Sequence, residues 1–217
     1  MEHFDLAISF TWEYDSDFVE LIEDYFQYYE LKTYLIKPDN VTDVINLLQN
    51  KKIQFTALLD RASDEDVSFI PVAQILKRRK SYIINPHNKI VKTIDKSLMH
   101  IKLQENNFKL PKTFILQSFR NDYRLTITEK DLEYIGKPFV IKPSLFSGGG
   151  EGVIKNAYTL DEIQKSRMKS PNEKFLIQEK ISPTNINGKR AWFRVFWAFD
   201  TVIPTYWDDK THIYSTL

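Results

Sequence analysis

The glycines of this chain are concentrated in one short segment, because four of its six lie between positions 148 and 152. Glycine loses more backbone freedom on folding than any other residue, so this crowding is unfavourable unless the backbone itself has a task there. Successive amides without side chains form a concavity that binds anions. A strand-like apolar run over residues 138–143 precedes the segment, and its Lys142 adds a compact positive charge. The pattern favours a nucleotide-phosphate site over a simple hairpin tip, which needs only one or two glycines.

The two commonest nucleotide-binding fingerprints do not fit this segment. In G-x-x-x-x-G-K-[ST] the lysine must follow a glycine directly, but Lys155 follows Ile154. In G-x-G-x-x-G the third glycine position falls on Val153 or on Lys155, depending on where the motif starts. A phosphate site here must therefore be built differently from a P-loop or a dinucleotide fold.

Composition limits the classes of protein to consider. A chain of 217 residues with 42% hydrophobic and 27% charged residues can bury a substantial core. The net charge of +1 gives no reason to expect a nucleic-acid partner, and the basic run 77–80 is typical of a helix C-terminus. Without cysteine there are no disulfides or thiolate sites. With no signal-like start and no long apolar run, we expect a cytoplasmic protein that does not contact membranes.

The first third of the sequence alternates between strand and helix patterns. Apolar runs predict strands at 6–10, 33–36, 55–59 and 81–84. Apolar residues at helical spacing predict helices at 18–29 and 41–48, and a third helix capped near Ser63, with a kink or restart at Pro71. Strands that alternate with helices predict a parallel sheet covered by helices.

A second unit begins near Asn88. Its pattern predicts a helix over 93–107 and short helices that start at the capping signals Thr128 and Thr159. The predicted strands are 113–116, 138–143, 153–155, 175–181, 191–197 and 202–207, with the last two turning at residues 200–201.

Several short signals follow one another in a recognisable order. They are Asn85-Pro86, Asp95-Lys96, Leu110-Pro111-Lys112-Thr113, residues 138–143, the glycine segment, Ile177-Gln178-Glu179-Lys180-Ile181, and Phe193-Arg194-Val195. This order resembles the ATP-grasp superfamily and is most similar to its glutathione-synthetase-like and RimK-like carboxylate–amine ligases. The resemblance covers essentially the whole chain. It implies an α/β fold with an N-terminal parallel-sheet (pre-ATP-grasp) domain at 1–87, a small ATP-grasp subdomain at 88–184, and the start of the large subdomain at 185–217.

The resemblance also implies a role for each matching residue. Lys96 and Lys142 would contact ATP, Lys96 at the phosphates and Lys142 at the phosphates or the adenine. The segment that contains Ser147, Gly148, Gly149 and Gly150 would close over the triphosphate. Backbone and side-chain groups of Gln178, Glu179, Lys180 and Ile181 would hold the adenine. Arg194 would contact a phosphate or an acyl phosphate as the catalytic residue. Fixed cations and backbone amides are the groups that phosphoryl transfer needs.

Two positions depart from the superfamily pattern. Trp192 stands where related ligases often have an acid, two residues before the arginine. The superfamily takes its magnesium ligands from strands near the end of the second half, and this sequence ends at Leu217 before such a segment. Asp208 and Asp209 are not assigned as ligands. We therefore expect Mg²⁺ to accompany ATP without identifiable ligands, with weak nucleotide binding and little turnover.

Three functions remain open from the sequence. The first is an ATP-dependent ligase, or part of one, that joins a small carboxylate or peptide to an amine through an acyl phosphate. The second is a non-catalytic nucleotide-binding module that regulates or docks. The third is an enzyme with an ATP-independent site in the first domain. A homodimer is the default expectation for the assembly.

Overall fold

The computed structural model describes residues 1–145, 150–186 and 188–217. The chain divides into two compact units, Met1–Phe108 and Lys109–Leu217. The finer division predicted from the sequence, at residues 87 and 184, stays a prediction. None of the described helices has both the length and the apolar character needed to cross a membrane.

The first unit contains a four-stranded parallel sheet with the strand order β2-β1-β3-β4, as the alternating pattern predicted. Its elements are β1 (Glu2–Phe10), α1 (Ser16–Tyr28), β2 (Thr33–Ile36), α2 (Val41–Gln49), β3 (Ile53–Arg61), α3 (Ile70–Arg78), β4 (Tyr82–Ile84), α4 (His87–Ile94) and α5 (Lys96–Glu105).

Helices cover both faces of this parallel sheet. Ala7 of β1 packs in a buried cluster with Leu48 of α2 and Leu76 of α3. The next residue, Ile8, packs in a different cluster with Val19 of α1. Neighbouring side chains on a strand point to opposite faces, so α1 covers one face of the sheet while α2 and α3 cover the other.

The third helix starts later than predicted. Asp66 accepts a hydrogen bond from the Ser68 N–H over 2.8 Å and begins a 3-10 turn at Val67–Phe69, and α3 follows at Ile70. Pro71 lies in the first turn of α3, where a missing N–H removes no helical hydrogen bond. Ser63, predicted as the cap, instead donates from its hydroxyl to the buried Asp60 carboxylate over 2.6 Å.

The predicted helix over 93–107 is two helices, α4 and α5. Asp95 has an extended backbone (φ −74°, ψ 104°), which ends α4 at Ile94. Its carboxylate accepts hydrogen bonds from the N–H groups of Ser97 and Leu98 over 2.8 and 3.1 Å. Because an aspartate at such a position satisfies otherwise unpaired N–H groups, it starts a new helix at Lys96.

The second unit contains a four-stranded antiparallel sheet with the order β5-β8-β6-β7. Both predicted capping signals are confirmed, since Thr128 and Thr159 each form a capping box at the start of a helix. The elements are β5 (Thr113–Leu116), α6 (Glu129–Ile135), β6 (Phe139–Pro143), β7 (Ile154–Ala157), α7 (Leu160–Lys169) and β8 (Phe175–Glu179). The core between the sheet and these helices contains Leu132, Ile163 and Phe139.

A hairpin and a three-stranded antiparallel sheet with the order β11-β12-β13 complete the second unit. The predicted strand pair is confirmed, but its turn lies one residue earlier than predicted, at Phe199 and Asp200, whose φ angles are 47° and 63°. The strands are β9 (Asn185–Ile186), β10 (Lys189–Arg190), β11 (Phe193–Ala198), β12 (Thr201–Trp207) and β13 (Tyr214–Thr216). Most residues of this sheet are exposed, and β13 had no signal in the sequence.

Candidate functional site

Two residues predicted for the site are in direct contact on the antiparallel sheet of the second unit. The Lys142 ammonium on β6 donates a hydrogen bond to Gln178 Oε1 on β8 over 2.6 Å. The amide nitrogen of Gln178 in turn donates to Thr113 Oγ1 on β5 over 3.0 Å. These bonds run across three adjacent strands and hold the lysine side chain in one orientation. A cation with a fixed direction is a suitable partner for a phosphate or a ring nitrogen.

Lys142 lies on the face of the sheet that points away from the helical core. Its neighbours Phe139 and Ile141 are fully buried against α6 and α7, whereas Val140 and Lys142 alternate with them and are half-buried. Leu176 of β8 is opposite Lys142 in the strand register. This face thus brings an ammonium and an amide beside the apolar side chains of Val140 and Leu176, of which Leu176 is buried, and such a combination of groups is typical of small-molecule sites.

The segment after β8 presents backbone groups. The strand ends at Glu179, two residues before the predicted end. The Glu179 N–H donates to the Lys112 carbonyl over 2.8 Å, and the Glu179 carboxylate accepts from the Lys112 N–H over 3.1 Å. The Lys180 ammonium donates to Asn156 Oδ1 over 2.5 Å. Across the described residues, the backbone N–H groups of Lys180 and Ile181 donate no hydrogen bond.

The glycine segment is described only in part. Ser147, Gly148 and Gly149 lie outside the described residues. Gly150 and Gly152 have φ angles of 88° and 69°, in a turn that the Val153 N–H closes onto the Gly150 carbonyl over 3.2 Å. A Cβ on Gly152 would stand 3.1 Å from Cγ of Pro143. At two of the four glycine positions, the local backbone conformation by itself favours glycine, whether or not a ligand contacts the segment.

The chain on both sides of residues 146–149 is attached to the body of the unit. Before them, the Ser144 N–H donates to the Lys174 carbonyl over 2.9 Å and the Leu145 N–H donates to the Glu173 carboxylate over 3.0 Å. Glu173 is only 7% exposed. After them, Gly152 packs against the Pro143 ring. The ends of the glycine segment are thus fixed in position.

A cleft with a volume of about 650 Å³ lies beside the end of β6. Its lining includes Gly152, Ile154, Glu173 and Phe175. Lys142 and Gln178 do not line it, because they lie on the opposite face of the sheet from Phe175 and the helical core. The cleft and the Lys142 face are therefore separate features of this unit.

Arg194 belongs to the three-stranded sheet. Its Nη1 donates to the Tyr214 hydroxyl over 2.9 Å, and its guanidinium lies 5.7 Å from the ring centre of Trp207. The sequence left open whether this arginine is an ordinary outward-facing strand residue. Tyr214 and Trp207 fix the orientation of the Arg194 guanidinium. The backbone carbonyl of Arg194 accepts a hydrogen bond from the Thr205 hydroxyl.

Lys96 is the first residue of α5 and belongs to the first unit. It follows the capping residue Asp95 directly and is half-buried. The Asp95 carboxylate already accepts from the N–H groups of Ser97 and Leu98 at this helix start, so Lys96 would bring its side-chain charge rather than free backbone donors to a phosphate.

The described residues contain no group of three or more His, Asp or Glu side chains arranged to hold a metal ion. Asp209 pairs with Arg190 over 2.8 Å. The Lys210 N–H donates to Asp208 over 2.9 Å, and this bond holds the pKa of that carboxyl below its usual range. The described acids near the end of the chain thus have other partners, and they do not fit a magnesium site.

Some residues that shape the site had no signal in the sequence. Thr113, Glu173 and Tyr214 orient Gln178, Leu145 and Arg194, but each contact spans 20 to 65 positions in the chain. Only the pairing of the strands brings these residues together. Knowing that Thr113 pairs with Gln178 in the antiparallel register would have been enough to predict the contact between their side chains.

Comparison with known proteins gives matches in structure only. No protein-family model matches the chain, and no curated protein matches it in sequence. A RimK domain ATP-grasp protein from Sphaerobacter thermophilus matches with a TM-score of 0.54 at 15% identity, covering 82% of this chain and 64% of that one. The macrocyclase MdnB from Microcystis aeruginosa matches with a TM-score of 0.58 at 12% identity, covering 98% and 78%. D-alanyl-alanine synthetase A from Vibrio cholerae matches with 0.54 at 9%, covering 97% and 69%.

These matches define the class of fold. The chain has an ATP-grasp fold, as the order of its sequence signals led us to expect. The α/β class with an N-terminal parallel sheet is confirmed as well. At identities of 9 to 15% the likeness is one of fold, and the chain spans 64% of the RimK domain protein.

Proposed function

We propose that this chain binds ATP and is, or is part of, an ATP-dependent carboxylate–amine ligase. One observation carries the proposal: Gln178 holds the Lys142 ammonium on the sheet face turned away from the helical core, and the backbone N–H groups of Lys180 and Ile181 just beyond β8 donate no hydrogen bond within the described residues. The fold supports it, since the neighbours include a synthetase and a macrocyclase. Magnesium is proposed to enter with the nucleotide, and no step is assigned to it because the described acids offer no site.

The proposed roles follow the geometry. Lys142 contacts the phosphates or the adenine, while the backbone of Lys180 and Ile181 and the side chains of Gln178 and Glu179 hold the purine edge. Lys96, at the start of α5, and Arg194 neutralise phosphate charge. Ser147, Gly148, Gly149 and Gly150 cover the triphosphate with backbone amides.

The proposed reaction has two steps. A carboxylate oxygen of the substrate attacks the γ-phosphorus of ATP, the bond to the β-phosphate oxygen breaks, and ADP leaves. The nitrogen of an amine then attacks the acyl carbon, phosphate leaves, and the amine loses a proton. Because the acyl phosphate is easily hydrolysed, the protein must exclude water, which is a task for the covering segment. The substrate is proposed to be a small carboxylate or a peptide.

Nucleotide binding is tested by thermal stabilisation. MgATP at about one hundred times its Kd should stabilise the chain by about 2.7 kcal/mol. Lys142→Ala should remove most of this effect. Lys155→Ala is the matched control, because Lys155 is an exposed lysine on the neighbouring strand β7. Equal loss of stabilisation in both variants, or none in either, would contradict the proposed site.

Ligation is tested separately by trapping. With MgATP, mixed amino acids and short peptides, hydroxylamine should convert an acyl phosphate to a hydroxamate in an amount that matches the ADP released. Arg194→Ala should reduce that product while ATP still binds. Binding without ADP or hydroxamate from any carboxylate would favour the non-catalytic module instead.

A further inference from the structure

Helix α1 in the first unit carries three separate stripes of side chains. Positions three and seven residues apart lie on one side of a helix. The stripe that faces the sheet consists of Val19, Ile22 and Phe26. A second stripe of the same spacing is acidic and consists of Asp17, Glu20 and Asp24. The third, here called the aromatic stripe, consists of Phe18, Leu21, Tyr25, Tyr28 and Tyr29.

The aromatic stripe is exposed, although its members share the apolar spacing that predicted this helix. Leu21, Tyr25 and Tyr28 are 67%, 62% and 79% exposed. The rings of Tyr25 and Tyr29 pack edge to face with their centres 5.0 Å apart, as do those of Tyr28 and Tyr29. The tyrosines therefore form an ordered apolar surface of rigid rings. Such surfaces are enriched where proteins bind partners.

The surroundings of the stripe are strongly acidic. The first 31 residues contain nine acids and no lysine or arginine, in a chain whose net charge is +1. Asp17, Glu20 and Asp24 are exposed and form no ion pair within the part of the chain that the structure describes. A partner that covers the tyrosines must bring positive charge to this acidic stripe.

At the N-terminal end of the aromatic stripe, Phe18 already contacts a cation of this chain. The Arg61 guanidinium lies 5.4 Å from the ring centre of Phe18 and donates to both carboxylate oxygens of Asp15, over 2.5 and 2.8 Å. An aromatic ring together with a carboxylate is a favourable site for a guanidinium. Tyr25 and Asp24 repeat this combination of residue types about two turns further along the helix, at an exposed position.

A second copy of this chain is a poor occupant of the surface. Two α1 helices face to face would bring their acidic stripes together. The exposed basic residues Lys77, Arg78 and Lys80 end α3, which covers the opposite face of the parallel sheet from α1. Two copies cannot exchange these contacts reciprocally, and a head-to-tail contact would not close into a dimer.

We propose that the aromatic and acidic stripes of α1 bind a positively charged polypeptide segment of another protein, in which lysines or arginines alternate with apolar side chains. The apolar side chains of the partner cover Leu21 and Tyr28, and its cations contact Tyr25 and Asp24. This surface is independent of the proposed nucleotide site.

The test uses two labelled 16-residue peptides and fluorescence anisotropy with the full chain. One peptide has leucine and lysine in amphipathic helical order, and the other has glutamate in place of each lysine. The lysine peptide should bind and weaken with added salt, and the glutamate peptide should not bind. Combined Tyr25→Ser and Tyr28→Ser should weaken binding about tenfold. Asp24→Lys with Glu20→Lys should reverse the preference between the peptides.

Matched controls carry the same changes elsewhere. Tyr123→Ser alters a 70% exposed tyrosine outside α1, and Asp43→Lys reverses an exposed acid on α2. Both should leave affinity within about twofold. The peptide reversal is a gain of binding, so loss of folding cannot imitate it. The proposal is overturned if the controls weaken binding as much as the α1 variants. It is also overturned if the wild-type chain sediments as an oligomer that the tyrosine variants dissociate, since the occupant is then a second copy.

Discussion

Arg167 on α7 shows how much one side chain can organise, because it is 1% exposed and carries a positive charge. Its guanidinium donates to the backbone carbonyls of Arg124 and Gln117 over 3.1 Å each, to the Asp122 carbonyl, and to the Gln164 side chain. Burial lowers the pKa of this arginine from its usual value. The charge is thus used to fix the loop between β5 and α6.

Arg167→Met should lower the free energy of unfolding by about 3 kcal/mol, because three carbonyls lose their donor inside the protein. Urea unfolding followed by circular dichroism measures the change. Arg124→Gln is the control: its side chain is 73% exposed, and solvent screening should leave its ion pair with Asp122 with little effect on stability. Similar losses in the two variants would argue against a structural role for the buried charge.

The glycines at positions 152 and 188 allow steric crowding to be separated from backbone strain. Both have positive φ, but only at Gly152 would a Cβ approach another atom closely, the Pro143 ring at 3.1 Å. Gly188→Ala should cost about 1 kcal/mol from its backbone alone, and Gly152→Ala clearly more. Comparing the urea midpoints of the two variants checks the order. A reversed order would mean that the chain around Gly152 adjusts freely.

For single residues, the sequence predicts the strand or helix to which a residue belongs better than it predicts the contacts of its side chain. The spacing of 138–143 placed Lys142 on a strand before the glycine segment, and the structure agrees. The partner Thr113 and the anchor Glu173 were not predictable, because strand pairing across 65 and 28 positions decides those contacts. Local pattern carries no information about that pairing.

Among the elements, the short helices that begin at capping boxes were read correctly because their signal is local. The N–H groups of Tyr158 and Thr159 and the Thr159 hydroxyl donate to the Glu162 carboxylate. The bond from Tyr158 and then that from Thr159 hold the pKa of Glu162 below its usual value. The later start of α3 and the break at Asp95 were missed because a second cap can interrupt an otherwise continuous helical pattern.

Thr159→Ala should destabilise the protein by about 1 kcal/mol, as loss of an N-cap does. Thr42→Ala is the control, since Thr42 is an exposed threonine inside α2, where alanine favours the helix. Chemical denaturation of both variants gives the comparison. An equal effect at both positions would contradict the assigned cap.

The charge on Glu162 should make part of this stability depend on pH. A carboxyl whose pKa is lowered by folding stabilises the protein above its ordinary pKa of about 4.3, and this contribution is lost as the pH falls below that value. Glu162→Gln should therefore destabilise the chain at pH 7, and the difference from wild type should shrink as the pH is lowered from about 4.3 through the folded-state pKa. A difference that persists unchanged at the lower pH would contradict the charged cap.

For the whole molecule, hydrogen exchange can show whether one nucleotide engages both units. If Lys96 and Lys142 both contact ATP as proposed, MgATP should slow exchange in peptides that contain them and in residues 178–181. Peptides from α2 should not change. Lys142→Ala should abolish protection in both units together. Protection confined to the first unit would refute the assigned roles, and it would favour a site there.

The tryptophans are distributed unequally between the two units. Trp12 lies in the first, and Trp192, Trp197 and Trp207 lie in the second. Trp192 and Trp207 have ring centres 6.4 Å apart and inclined by 64°. Replacing Trp12 with phenylalanine would confine the tryptophans, which can be excited apart from tyrosine, to residues 109–217. Melting of that half of the chain could then be followed optically, without any attached dye.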